Sequence, residues 1–248
     1  MRRPIIAANW KMHKTIGEAV ALTEELVSLI ADAEVDVVIC TPFICLSAVK
    51  DAIAGTKIHL GAQNLHFKEN GAYTGEISSI MLKELGVEYV IIGHSERRQY
   101  FAETDETVNL KVKAAIGHGL IPIICVGENL LQREQGITDE LVSMQTKLAL
   151  CGVSSKETEK LVLAYEPIWA IGTGMTATKE QANDTISKIR KAVAELHGDN
   201  TASKVRILYG GSINRNNISG LMREPEIDGG LIGGASLNAE EFAKIVKY

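Results

Sequence analysis

The chain has 248 residues, of which 46% are hydrophobic and 23% charged, and a formal net charge of -5. That suits one large or two small globular domains with a substantial core, and with no block of like charge neither nucleic acid nor an anionic membrane is an implied partner. The longest apolar stretch, Leu120 to Val126, is far too short to span a bilayer.

Strand-like runs recur along the chain at Ile5–Asn9, Val35–Cys40, Lys57–Ala62, Tyr89–Gly93, Ile121–Val126, Leu161–Tyr165, Val205–Tyr209 and Gly230–Ile232. They are short and mostly apolar, as expected of strands buried on both faces of a parallel sheet. Helical patterns fall between them. Ala19, Leu22, Leu26 and Ile30 share one face of the first, and Ala182, Ile186, Ile189, Val193 and Leu196 one face of the sixth. Eight strands alternating with helices over this length predict an α/β fold, an eight-stranded parallel (β/α)8 barrel, as a single domain over residues 1–248. A doubly wound open sheet is the competitor. However, the first strand runs into Asn9-Trp10-Lys11-Met12 rather than a glycine fingerprint. The most polar connection, Gly198 to Ser203, joins a helix to a strand and does not read as an interdomain linker.

Arg2 and Arg3 precede Pro4 and one short run, without the apolar core of a signal peptide. Cys40, Cys45, Cys125 and Cys151 lack the spacing of a zinc or redox pair. A reducing, cytoplasmic location is therefore expected, and the sequons at Asn183 and Asn217 are read as chance matches.

In such a barrel the chemistry gathers at the carboxyl ends of the strands. Those ends carry Asn9 and Lys11, then Gly93-His94-Ser95-Glu96-Arg97-Arg98, then Cys125-Val126-Gly127-Glu128, then Glu166, then Tyr209-Gly210-Gly211-Ser212, and finally Gly233-Gly234-Ala235-Ser236. Glu166 is followed by Pro167, which stiffens the exit, and by an apolar segment closed by Gly172 and Gly174. A base beneath a water-excluding lid fits that arrangement; so does an ordinary strand-to-helix connection with a surface glutamate. Lys11 reads either as a surface lysine or as an ammonium pointing into an anion-binding cleft. His94 reads as a structural histidine, or as a neutral ring held by N–H groups at a helix start. Glu96 is either an N-terminal helix carboxylate or a buried partner for Lys11. The two glycine pairs after the seventh and eighth strands match a phosphate site built from backbone N–H groups.

Together these residues resemble the triosephosphate isomerase family over essentially the whole chain. The matching segments are Asn9-Trp10-Lys11-Met12, Gly71 to Glu76, Ile92 to Arg98, Ala164 to Gly174, Tyr209 to Ser212 and Gly233 to Leu237. The resemblance implies a TIM barrel that interconverts dihydroxyacetone phosphate and glyceraldehyde 3-phosphate through an enediolate. It implies Glu166 as the base, His94 as a neutral electrophile, and Lys11 and Asn9 as stabilisers of the developing charge, with Glu96 in the same catalytic set. Backbone N–H groups of Gly172, Ser212, Gly233 and Gly234 would hold the phosphate. The chemistry needs no cofactor or metal. The resemblance also implies a homodimer through the loop from Gln63 to Glu76, with Thr74 approaching the partner's Asn9 and His94 and Glu76 pairing with the partner's Arg97. Read without it, that loop is a long surface connection with an Asn70-Gly71 turn. Four positions depart from the family's usual pattern: Ala8 for a common Gly, Asn129 for Thr, Met175 for Lys and Gly230 for Ala. The competing functions are another barrel enzyme acting on a phosphorylated metabolite and a non-catalytic phosphate-binding barrel.

Overall fold

The computed structural model describes residues 2–171 and 175–248. Among them, eight parallel strands pair in sequence order and close into a barrel: β1 (Ile5–Asn9), β2 (Asp36–Thr41), β3 (Ile58–Ala62), β4 (Tyr89–Ile92), β5 (Ile121–Val126), β6 (Val162–Tyr165), β7 (Arg206–Tyr209) and β8 (Gly229–Ile232). Closure comes from β8 against β1, with Ile5 opposite Gly229 and Ala8 opposite Ile232. The α-helical segments among the described residues are α1 (Ile16–Leu29), α2 (Leu46–Ala52), α3 (Ser79–Leu85), α4 (Ser95–Tyr100), α5 (Asp105–Gly117), α6 (Leu130–Glu134), α7 (Thr138–Ala149), α8 (Ser155–Thr158), α9 (Lys179–His197), α10 (Asp199–Ala202), α11 (Ile218–Leu221) and α12 (Ala239–Val246).

Successive strand residues face opposite ways, and the core divides accordingly. Ile5, Val38, Ile91, Ile123, Val162 and Leu231 belong to one buried cluster, which fills the barrel. Ile6, Ile39, Ile92, Ile124, Leu163 and Ile207 belong to a second cluster, shared with helix residues such as Leu22, Leu26, Ile186 and Ile189. Both strand faces are buried, which is why the runs are apolar without alternation. Removing one of these side chains, for example Leu26→Ala, would cost about 2–5 kcal/mol.

The strands begin or end within one residue of the sequence prediction. Gly93 ends the fourth run because its φ of +75° takes the backbone out of the sheet. The prediction for α9 fails at Leu196, which is 42% exposed although Ala182, Ile186, Ile189 and Val193 are buried. A 19-residue helix spans about 28 Å, roughly twice a four-residue strand, so its last turn runs past the barrel wall. The polar connection after it is partly helical: α10 buries Thr201 and Ala202. Asn129 caps α6. Its Oδ1 accepts the Gln132 N–H at 2.9 Å, and Gln132 Oε1 accepts the Asn129 N–H at 2.9 Å. Asn and Thr both serve in that role, which accounts for this departure from the family pattern.

Candidate active site

At the carboxyl end of β1, Asn9 is nearly buried and its Oδ1 accepts the Lys11 N–H at 3.1 Å. This local bond holds Lys11 at φ +53°, a left-handed conformation that a residue with a β-carbon adopts at a cost of roughly 1–3 kcal/mol. Gln63 adds a second restraint, its Nε2 donating to the carbonyls of Lys11 (2.9 Å) and Cys40 (3.0 Å). The Lys11 ammonium donates to Glu96 Oε1 at 2.6 Å. Glu96 thus pairs with Lys11 and also stands in the first turn of α4, so both readings of it hold, except that its carboxylate is half-exposed rather than buried.

At the end of β4, His94 is the N-cap of α4, and its Nδ1 accepts the Glu96 N–H at 3.2 Å. A ring nitrogen that accepts carries no proton, so this bond favours a neutral ring with its proton on Nε2. His94 Nε2 lies 2.8 Å from Glu166 Oε1, while Glu166 Oε2 accepts the Ser95 N–H at 2.8 Å. Burial by itself would raise the Glu166 carboxyl; the His94 ring, the Ser95 N–H and Lys11 outweigh it and hold the group below its ordinary value. Burial would lower the His94 ring; the Glu166 charge and hydrogen bond, with Glu96, outweigh it and lift the ring above its ordinary value. The lift depends on where Glu166 sits, whereas the Glu96 N–H is fixed by the α4 backbone.

Asn9, Lys11, His94 and Glu166 line a cavity of about 280 Å³ together with Gly210, Gly211, Ser212, Gly233 and Gly234. Ile171 and Leu231 add apolar wall. Gly233 and Gly234 lead into a single 3-10 turn at Gly234–Leu237, with Ser236 Oγ bonded to the Gly233 carbonyl at 2.7 Å. After β7, α11 starts only at Ile218, so the glycines there form a turn and do not open a helix. A side chain at Gly211 would collide with the Tyr209 hydroxyl, so that position needs glycine. Gly172 lies outside the described residues. Glu96 lines a separate adjoining cavity of about 270 Å³, together with Lys11, Met12, Gln63, Asn64 and Phe101.

Residues 4–248 match the family model for triosephosphate isomerase. The chain is 61% identical to the triosephosphate isomerase of Caldanaerobacter subterraneus subsp. tengcongensis, over the whole of both chains. It is 59% and 58% identical to those of Clostridium botulinum (strain Langeland) and Clostridium perfringens (strain SM101), again over full length. The chain belongs to the triosephosphate isomerase family. That makes it an enzyme of the isomerase class.

Within this family fold, the structure shows one anchoring group to which sequence reading gave no role. Glu128, just past β5, is fully buried. Its Oε1 accepts the Tyr165 hydroxyl (3.0 Å), the Trp169 indole N–H (2.9 Å) and Arg133 Nη1 (3.2 Å). Its carbonyl accepts the Ile168 N–H at 3.0 Å. The Arg133 guanidinium lies over the Trp169 ring, 4.4 Å from its centroid. The first residues of the apolar segment are thus tied to a buried carboxylate. Gly127 makes the approach possible, since a β-carbon there would overlap the Glu166 carbonyl. The signal in the sequence was a carboxylate directly after a strand and a glycine.

The loop that the triosephosphate isomerase resemblance assigns to dimerisation is folded on itself. The His66 ring packs on Phe67 (centroids 4.5 Å) and Tyr73 (4.4 Å), and the His66 backbone N–H donates to the Ile77 carbonyl at 2.8 Å. Thr74 is exposed. Gln63, at the start of the loop, is bonded to its own chain as described above. Arg97 is paired within the chain with Glu103 at 2.8 Å and stacks on Phe101.

Proposed function

We propose that this chain interconverts dihydroxyacetone phosphate and glyceraldehyde 3-phosphate by proton transfer through an enediolate, with the 1–248 barrel acting as a single domain. The observation that carries this reading is the convergence of Glu166, His94, Lys11 and Asn9 on one cavity together with two glycine turns. It fits the family's activity and its substrate class.

In the resting arrangement Glu166 occupies the His94 N–H that a substrate carbonyl needs. The substrate's carbonyl oxygen takes that N–H, and the Glu166 carboxylate turns to the C–H beside the carbonyl. Glu166 removes the proton, the C–H electrons form the C=C bond of the enediolate, and the carbonyl electrons move to oxygen. His94 Nε2–H, Lys11 and Asn9 face the developing negative charge; one such donor is worth roughly 100- to 1000-fold in rate. A proton then moves between the two oxygens through His94, and Glu166 returns its proton to the neighbouring carbon. With Glu166 turned away from His94, the lift on the ring is relieved and the Glu96 N–H keeps Nδ1 unprotonated. Ser212, Gly233 and Gly234, with Gly172, supply N–H groups for the phosphate. The Pro167–Gly174 segment acts as a lid that keeps water away and prevents the enediolate from expelling phosphate.

The active form is a homodimer through the Gln63–Glu76 loop. Support comes from exposed apolar side chains around the Glu96 cavity: Met12 is 94% exposed and Phe101 66%. A folded loop tip carrying Thr74 and Tyr73 has the chemistry to fill such a cavity on a second copy. All four cysteines are free thiols, which fits a reducing compartment such as the cytoplasm. No helix among the described residues is long and apolar enough to cross a membrane.

The test is isomerisation of glyceraldehyde 3-phosphate by wild type and Glu166→Gln with a chelator present. Fast wild-type turnover and near-total loss in the folded variant are expected. A folded wild type without turnover would overturn the assignment.

A further inference from the structure

Gly230 departs from the family's usual alanine, and the reaction gives it no role. It lies in β8 on the same outward face as Ile232, since Leu231 between them belongs to the barrel interior. A β-carbon built on Gly230 would sit 2.6 Å from Ile213 Cδ1 and 2.7 Å from Ile232 Cδ1, well inside van der Waals contact. The tips of two isoleucines therefore occupy the volume that a methyl group would take.

Ile213 follows Ser212 directly in the turn after β7 and lines the substrate cavity beside Gly210, Gly211 and Ser212, yet it is only 7% exposed. The turn is tied at its start by the Gly210 N–H to the Tyr165 carbonyl (2.7 Å), and further on by Asn217 Nδ2 to the Ser212 carbonyl (3.0 Å). Between these bonds, the side chain seated against β8 is Ile213. We propose that Gly230 is a positioning residue for the phosphate subsite: it leaves a notch on the outer face of β8 that receives Ile213, and this seating sets how deeply the Gly210–Ile213 turn sits and where its N–H groups aim. The inference rests on the phosphate-binding role proposed above.

Filling the notch pushes the Ile232 tip aside and forces Ile213 out of its rotamer or lifts the turn; shortening Ile213 by one methyl removes the contact that bears on the turn. An off-rotamer side chain corresponds to roughly two- to tenfold in an equilibrium. The test uses full-length wild type, Gly230→Ala, Ile213→Val and the double variant, with isoleucine δ1 methyl groups labelled for NMR and titrated with inorganic phosphate. KM and kcat for glyceraldehyde 3-phosphate are measured in parallel. Expected is a rise of roughly three- to tenfold in the phosphate dissociation constant and in KM for Gly230→Ala, with kcat changed less. The double variant should return to within about twofold of wild type. Unchanged phosphate binding in Gly230→Ala, no recovery in the double variant, or a change confined to melting temperature would overturn the proposal, as would a wild type that does not bind phosphate. Phosphate binding that follows the expected pattern in a wild type without turnover would sink the proposed reaction and leave the notch standing.

Discussion

Glu166 Oε1 lies 2.8 Å from His94 Nε2, so the proposed base and the proposed electrophile are each other's partner. The contact holds both groups in the cavity wall, and the proposed reaction requires it to break. It also makes stability depend on pH in a defined direction. Glu166 titrates below its ordinary 4.5, so its contribution is present above that pH and is lost as pH falls through the lowered value. His94 titrates above its ordinary 6.5, so its contribution is complete below that pH and is lost as pH rises through the raised value. The pair therefore stabilises most between 4.5 and 6.5. Urea midpoints of wild type and His94→Gln should differ most within that window and converge toward alkaline pH. A gap independent of pH would contradict the assignment.

Lys11 separates stability from activity. Its left-handed backbone is strained, and its ion pair with Glu96 is partly exposed and worth about 0–1 kcal/mol. Lys11→Gly relieves the strain and gives up the pair, so thermal and denaturant midpoints should stay within about 1 kcal/mol of wild type or rise. Turnover should nevertheless fall by at least roughly 100-fold, since the charge proposed to face the enediolate is gone. A strongly destabilised Lys11→Gly would show that the backbone conformation carries no cost.

Glu128 holds the first part of the apolar segment after Glu166 to the barrel. Glu128→Ala leaves the Tyr165 hydroxyl without this acceptor in a buried site, which costs about 1–3 kcal/mol, and loosens Trp169. The expected result is a lower melting temperature together with a shift in indole emission. Glu128→Gln keeps an acceptor oxygen and should be milder on both counts. Equal effects of the two substitutions would mean that the hydrogen bonds do not anchor the segment.

Met175 follows the Gly172–Gly174 segment and is 44% exposed. Met175→Lys restores the residue that the family resemblance leads one to expect at the far end of the proposed lid. It should change turnover modestly and leave the fold intact, because a hinge acts on opening rates. Relaxation-dispersion measurements on the lid check this, and an opening rate identical to wild type would count against a hinge role.

The dimer reading predicts that Thr74→Arg, at an exposed loop tip, leaves the barrel folded but places a charge where a partner's cavity would receive the loop. Sedimentation should show monomers and turnover should drop. A fully active, monomeric wild type would remove the loop from the mechanism.

The local pattern of the sequence determined the barrel and the strand ends on which the site stands. Apolar runs without alternation mark strands buried on both faces. Glu166, His94, Lys11 and the glycine pairs were legible because each follows such a run within two residues, where a parallel barrel gathers its chemistry. Tertiary structure alone decided which of those groups touch. The Glu166–His94 contact joins residues 72 positions apart, and Lys11 meets Glu96 across 85. Spacing along a chain says nothing about distances between strands that closure brings round. For the same reason Glu128 read as one more polar residue at a strand end until Tyr165, Trp169 and Arg133 were seen to converge on it, and Gly230 read as a mere departure until two isoleucine tips were found in its place. Packing is a property of facing surfaces, and closure of the barrel creates those surfaces.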